Sequence, residues 1–209
     1  MSLKKSEIQK LPREFYLRPT LKVAKDLIGT LLIRKWDGHI LAGRIVEVEA
    51  YLGDHDPASH AFRGKTKRNE FMFGVGGHLY VYFTYGMHFC CNVVTEQEGT
   101  GHAVLVRGVE PLQGLEFMAR NRSIALTTER ERQNLCSGPA KLCEAFAIAR
   151  NENGTDLCGN EIWIAKERRP KTKLRIASST RVGITQGKEH QWRFYIQDNM
   201  YVSKGRPVS

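Results

Sequence analysis

Residues 44–60 read Arg44-Ile-Val-Glu-Val-Glu-Ala-Tyr-Leu-Gly-Asp-His-Asp-Pro-Ala-Ser-His60. The first half of this stretch alternates as a strand does. Ile45, Glu47, Glu49 and Tyr51 fall on one face, with Val46, Val48 and Ala50 on the other. Two carboxylates and an aromatic ring therefore line one side of an element whose opposite side is apolar. A half-buried strand with an ordinary wet face shows the same alternation. The stretch acquires chemical interest only beside a second, aromatic one that runs from Tyr80 to Asn92.

Working outward, Asp37-Gly38 marks a tight hairpin turn between a strand over 30–36 and the strand that carries Glu47 and Glu49. Upstream, Thr20 is placed to cap a helix over 21–28 that stops at Gly29. Residues 54–77 lack any period and read as loop, with a basic cluster at Arg63, Lys65, Lys67 and Arg68. A strand over 78–85, a tip at Tyr85-Gly86-Met87-His88 and a return strand over 89–95 form a second hairpin, followed by a strand over 102–109. Helices are expected over 111–122 and after Ser137-Gly-Pro139, with Ser137 as cap. Short strands return at 161–165, 180–185 and 192–197, and 168–175 is a basic loop. These patterns indicate an α+β fold with a mostly antiparallel sheet. Residues 1–209 form a single domain, with 1–19 expected as an irregular arm.

The 209 residues carry 32 Lys and Arg against 22 Asp and Glu, a net charge of +10 that favours a polyanionic partner. Five cysteines (Cys90, Cys91, Cys136, Cys143 and Cys158), with no Cys-x-x-Cys spacing, argue against a disulfide framework and a zinc site. Asp54-His55-Asp56 with His60, or His88 with Cys90 and Cys91, lack a recognised ligand spacing, so no metal is expected. Neither a P-loop nor Gly-x-Gly-x-x-Gly nor Gly-x-Ser-x-Gly occurs, so no nucleotide cofactor or serine hydrolase is indicated. The polar first ten residues do not resemble a signal peptide and no long apolar run follows, so a soluble, intracellular protein without membrane association is expected.

Tyr80, Tyr82, Tyr85, Phe83 and Met87 crowd aromatic and soft apolar groups onto one hairpin, as ordinary strand residues can. An exposed tyrosine at a glycine tip in a basic protein also suits insertion between stacked bases. Glu49 with Tyr51 suggests a carboxylate set against a planar ligand. Periodicity places Glu47 on the same face and cannot rank the two.

Several separated segments together resemble the alkyladenine (3-methyladenine) DNA glycosylase family. They are Glu47-Val-Glu-Ala-Tyr-Leu-Gly53, His60, Arg68-Asn69, Leu79-Tyr-Val-Tyr-Phe-Thr-Tyr-Gly-Met87, Asn92, Arg107-Gly-Val-Glu-Pro-Leu112, Leu135-Cys-Ser-Gly-Pro-Ala-Lys-Leu-Cys143 and Arg181-Val-Gly183. The match runs from about residue 21 onward. It implies a monomeric base-excision repair enzyme, without cofactor, that flips alkylated or deaminated purines out of double-stranded DNA and hydrolyses the N-glycosidic bond. By resemblance, Glu49 is the general base, and Arg107 with the backbone of Val182 holds the water or a neighbouring phosphate. Tyr51, His60 and Tyr82 enclose the base, and Asn92 lies at the pocket floor. Tyr85 fills the gap in the duplex with Met87 beside it, so the second hairpin should protrude from the sheet. Glu49 is ranked above Glu47 by the resemblance alone. With no lysine placed as an amine nucleophile in these motifs, hydrolysis without strand cleavage is expected. A non-catalytic nucleic-acid binder and a hydrolase of free nucleosides are the rival expectations; a binder releases no base, and a nucleoside hydrolase turns over without DNA.

Overall fold

A computed structural model describes residues 5–169 and 174–203. Among them are nine strands: β1 (Ile8–Lys10), β2 (Leu31–Trp36), β3 (His39–Leu52), β4 (Leu79–Thr84), β5 (His88–Thr95), β6 (His102–Gln113), β7 (Ile162–Glu167), β8 (Ile176–Ser179) and β9 (Arg193–Ile196). The helices are α1 (Arg13–Tyr16), α2 (Thr20–Leu27), α3 (Leu115–Asn121), α4 (Glu129–Asn134) and α5 (Pro139–Ala145). The strands form one sheet in the order β1-β7-β2-β3-β6-β5-β4, with β9 pairing β3 and β8, and the pairings are antiparallel. The α+β class follows from the sequence patterns as expected.

Strand β3 is the axis of the sheet. One edge pairs with β6 along most of its length; the other pairs with β2 up to Arg44 and with β9 at Glu47, Val48 and Glu49. The change of partner coincides with register shifts between Ile45 and Glu47 and between Glu47 and Val48. A bulge of this kind reverses the side-chain phase. Ile45 therefore joins Val46, Val48 and Ala50 in the main core, rather than sharing the face of Glu47, Glu49 and Tyr51 as strict alternation predicts. The core is closed by Val23, Ala24 and Leu27 of α2, Met118 of α3, and Leu142, Cys143 and Phe146, in and just after α5. Each such buried aliphatic side chain contributes roughly 1.5–3 kcal/mol. A smaller cluster on the opposite face (Ala61, Met72, Tyr80, Val94 and Ala103, with Tyr51 and Tyr82 against it) underlies the site.

Other departures from the sequence expectations have local causes. Pairing along β3 carries β6 through Pro111 to Gln113, so the helix expected over 111–122 begins only at Leu115, after Gly114 turns at φ 77°. Ser137 does not cap α5; it bridges to Gly108 and Gly138 occupies the cap position. Helix α4 was not expected, although Thr128 and Glu131 form a capping box at its start. The strand expected at 180–185 lies instead at β8, and Arg181 is buried elsewhere. The expected irregular arm contains α1 and also β1, which pairs with β7; its first four residues lie outside the described range. Residues 170–173 of the basic 168–175 loop also lie outside it.

Candidate active site

Glu47 and Glu49 are both wholly buried, so neither lies on a wet face. Their surroundings differ. Opposite Glu47, Gly108 lets the chain near the C-terminus approach closely; a Cβ there would lie 2.9 Å from the Tyr201 carbonyl oxygen. Glu47 then accepts hydrogen bonds from Arg107 Nε at 3.0 Å, Arg193 Nε at 2.7 Å, the Ser203 amide at 2.6 Å and Ser203 Oγ at 2.9 Å. A carboxylate has about four acceptor positions, and Glu47 fills that number within the protein.

Glu49 has a looser shell. Its Oε1 accepts from the Val182 amide at 2.7 Å, and its Oε2 from the Tyr51 hydroxyl at 2.9 Å and from Arg107 Nη1 at 3.4 Å. Burial pushes its pKa above the ordinary carboxylate value, against the opposing pull of Arg107, the Val182 amide and Tyr51. Arg107 lies between the two carboxylates. Its burial works to lower its pKa, but Glu49 and Glu47 outweigh that and raise it.

Beside Glu49, the ring of Tyr51 forms one wall of an open pocket of about 70 Å³, completed by Ala58, His60, Met72, Tyr80, Tyr82 and Asn92. The rings of His60 and Tyr82 meet edge-on with centroids 4.5 Å apart, and His60 Nδ1 is hydrogen-bonded to the Tyr80 hydroxyl at 3.0 Å. Burial, and then the charge of Arg68, lowers the pKa of His60, which keeps the imidazole neutral at pH 7. Burial raises the Tyr80 hydroxyl to about 12. Asn92 pairs with Tyr80 across β4 and β5 and donates to the Tyr80 carbonyl at 3.1 Å. The loop bearing His60 is held by Asn69, whose amide donates to the His60 carbonyl at 2.8 Å and the Gly64 carbonyl at 3.1 Å.

Glu49, Tyr51, His60, Tyr82, Asn92, Arg107 and Val182 thus converge from separate elements. Tyr80 and Met72 also line the pocket, although the sequence argument gave them no pocket role. The register alone points to Tyr80, since it lies two residues from Tyr82 and directly opposite Asn92. Asp56, weighed as a metal ligand, instead forms a fully buried bidentate pair with Arg181. The guanidinium of Arg181 lies 4.6 Å from the Tyr51 ring centroid and 5.1 Å from that of Trp192, and donates to the Ala50 carbonyl at 3.0 Å. No sequence signal singles out this pair as a clamp.

Tyr85 and Met87 stand apart from the pocket, at the tip of the β4–β5 hairpin. Tyr85 is 87% exposed and Met87 70%. Tyr85 at φ 50° and Gly86 at φ 67° make a turn with two left-handed residues. Glycine or asparagine adopts that conformation with less strain than tyrosine, so the turn holds a large ring outward at a conformational cost. Arg63, Lys65, Lys67 and Arg68 are exposed on the loop leading to this hairpin.

A buried carboxylate of raised pKa at the edge of a ring-lined pocket, on a strongly basic protein, suits chemistry on a flat ligand carried by a polyanion, and the comparisons place the chain among the DNA glycosylases. A family model described as Methylpurine-DNA glycosylase (MPG) matches residues 14–200, and the chain belongs to that family. Proteins named "Putative 3-methyladenine DNA glycosylase" are similar along nearly their whole length. The one from Carboxydothermus hydrogenoformans is 51% identical, covering 93% of this chain and 98% of its own. Those from Alkaliphilus oremlandii and Chlorobium luteolum are each 46% identical, covering 93% and 95% of this chain and 99% and 98% of their own.

Proposed function

We propose that this glycosylase extrudes alkylated or deaminated purines from double-stranded DNA and hydrolyses their N-glycosidic bond with water activated by Glu49. Its substrates are 3-methyladenine, 7-methylguanine, hypoxanthine and ethenoadenine. It acts as an intracellular monomer and leaves an abasic site. The observation that carries the assignment is the contrast between the carboxylates: Glu47 is saturated with donors, whereas Glu49 is desolvated, less fully bonded and adjacent to the pocket.

Extrusion costs a few kcal/mol of unstacking, least for damaged or mispaired bases. Tyr85 and Met87 fill the vacated space, while Tyr51, His60 and Tyr82 hold the base; base–aromatic stacking contributes about 1–3 kcal/mol per base. A neutral His60 avoids repelling a cationic alkylated purine. As the bond to the sugar lengthens, positive charge develops there, and ionised Glu49 stabilises it while taking a proton from the attacking water. Arg107 orients Glu49 and opposes the effect of burial, favouring the ionised form. Asn92 at the pocket floor opposes the exocyclic amino group of normal guanine. Among the described residues the pocket lining includes no lysine, in keeping with hydrolysis without a lyase step.

The test is single-turnover release of base from duplexes carrying one hypoxanthine, ethenoadenine or 7-methylguanine, with and without hot alkali. Release with strand scission only after alkali is expected. Tight DNA binding without release from any of these duplexes would leave a binder. Replacing Tyr85 with Asn should slow excision from duplex by about 10-fold or more, the equivalent of roughly 1.4 kcal/mol of lost stacking. The same Tyr85→Asn variant should melt no lower than wild type, because asparagine tolerates the left-handed turn. A lower melting temperature with unchanged excision would contradict the wedge role.

A further inference from the structure

Ser203 lies three residues beyond the end of the matched family region, yet it touches both the site's central arginine, Arg107, and one of that arginine's two carboxylate partners, Glu47. Its Oγ donates to Glu47 Oε1 at 2.9 Å and accepts from Arg107 Nη2 at 3.3 Å, while its amide donates to Glu47 Oε2 at 2.6 Å. Both Ser203 and Arg107 are buried. The guanidinium is therefore fixed at three corners: Nε on Glu47, Nη2 on Ser203 Oγ, and Nη1 toward Glu49 at 3.4 Å. Because a guanidinium is a rigid planar fork, anchoring two corners determines where the third points.

We infer that Ser203 is a positioning residue for the glycosylase reaction: its hydroxyl aims Arg107 Nη1 at Glu49. The inference rests on the role of Glu49 as general base proposed above. Without the hydroxyl, Nη2 loses its acceptor and Glu47 Oε1 loses a donor. Both changes draw the guanidinium toward Glu47 and away from Glu49. Of the other groups facing Glu49, Tyr51 on its own strand, the Val182 amide, and Tyr82 and Cys90 on β4 and β5 are unaffected by this change, and Glu47 loses only the hydroxyl donor. Arg193 of β9 stays on Glu47. With Arg107 less well aimed, Glu49 holds its proton to higher pH.

The test compares wild type, Ser203→Ala, Ser203→Thr and Glu49→Gln in single-turnover excision of hypoxanthine from duplex across pH, with lesion-DNA binding measured in parallel. Ser203→Ala should slow excision on the order of 10-fold, a modest loss for a misplaced catalytic group, with DNA affinity unchanged. Its acidic limb should move to higher pH, and Ser203→Thr, which keeps the hydroxyl, should restore both rate and limb. A slower Ser203→Ala with an unmoved limb and no rescue by threonine would make the residue merely structural and overturn the inference. So would a Ser203→Ala indistinguishable from wild type while Glu49→Gln is inactive, an outcome that leaves Glu49 as base. Should Glu49→Gln excise at the wild-type rate, the assignment of the base fails and the inference fails with it.

Discussion

Replacing Glu49 with Gln is expected to abolish measurable base release, a loss on the order of 10³-fold or more, since removing the base leaves neither an acceptor for the water's proton nor a charge opposite the developing cation. Binding to lesion DNA should survive or tighten, because Glu49 is a buried negative charge in a protein that binds a polyanion. The same variant should also be more stable than wild type at neutral pH. Burial raises the folded-state pKa of Glu49 above its unfolded value. The protonated group therefore favours folding; that contribution is complete below the ordinary carboxylate pKa and is lost as pH rises through the raised value. Glutamine stays neutral throughout, so the gap in melting temperature between variant and wild type should widen as pH rises. Parallel melting curves across that range would contradict a desolvated Glu49. Glu47→Gln should behave differently. It leaves Arg107, Arg193 and Ser203 with a weaker acceptor, so stability falls along with activity.

The second large effect concerns Arg181. Arg181→Met leaves Asp56 as an uncompensated buried charge and should cost about 3–5 kcal/mol in chemical denaturation. Replacing both partners, as Asp56→Leu with Arg181→Met, should recover most of that stability, because apolar side chains can occupy the space of a buried ion pair. Excision should not return with it. Asp56 also accepts from the Leu52 and Ala58 amides, at 3.3 Å and 3.1 Å, and Arg181 ties the chain beside Val182 to Ala50. The double variant loses these restraints on Tyr51, on the His60 loop and on the amide that meets Glu49. A stable double variant with full activity would show that the pair serves the fold alone.

Local chemistry was legible at several short-range signals, although the Thr128–Glu131 capping box of α4 went unread and Thr20, expected as a cap, lies inside α2. Asp37-Gly38 adopts the left-handed turn its residue types suggest, Gly86 marks the second turn although Tyr85 enters it at a conformational cost, and the strands they join were found to within a residue or two. Gly29 ends α2 as expected, with φ 87°. Errors arose where a distant partner overrode a local preference. Ser137 is a good capping residue, but Gly108 claims it for a bridge. Residues 111–113 read as helix, but the long edge of β3 holds them in the sheet.

The sequence by itself determined the fold class, the exposed aromatic tip and, through separated motifs, the family and most residues of the pocket. Two-residue periodicity could only place Glu47 and Glu49 together, because it carries no information about what lies across the sheet or beyond its edge. Tertiary structure separated them. A bulge sets their phase, β9 replaces β2 beside them, and Ser203, 156 residues from Glu47 in sequence, completes the donors that saturate one carboxylate. The other remains desolvated beside the pocket. Burial and hydrogen-bond saturation depend on the whole chain, which is why two residues alike in sequence differ in chemistry.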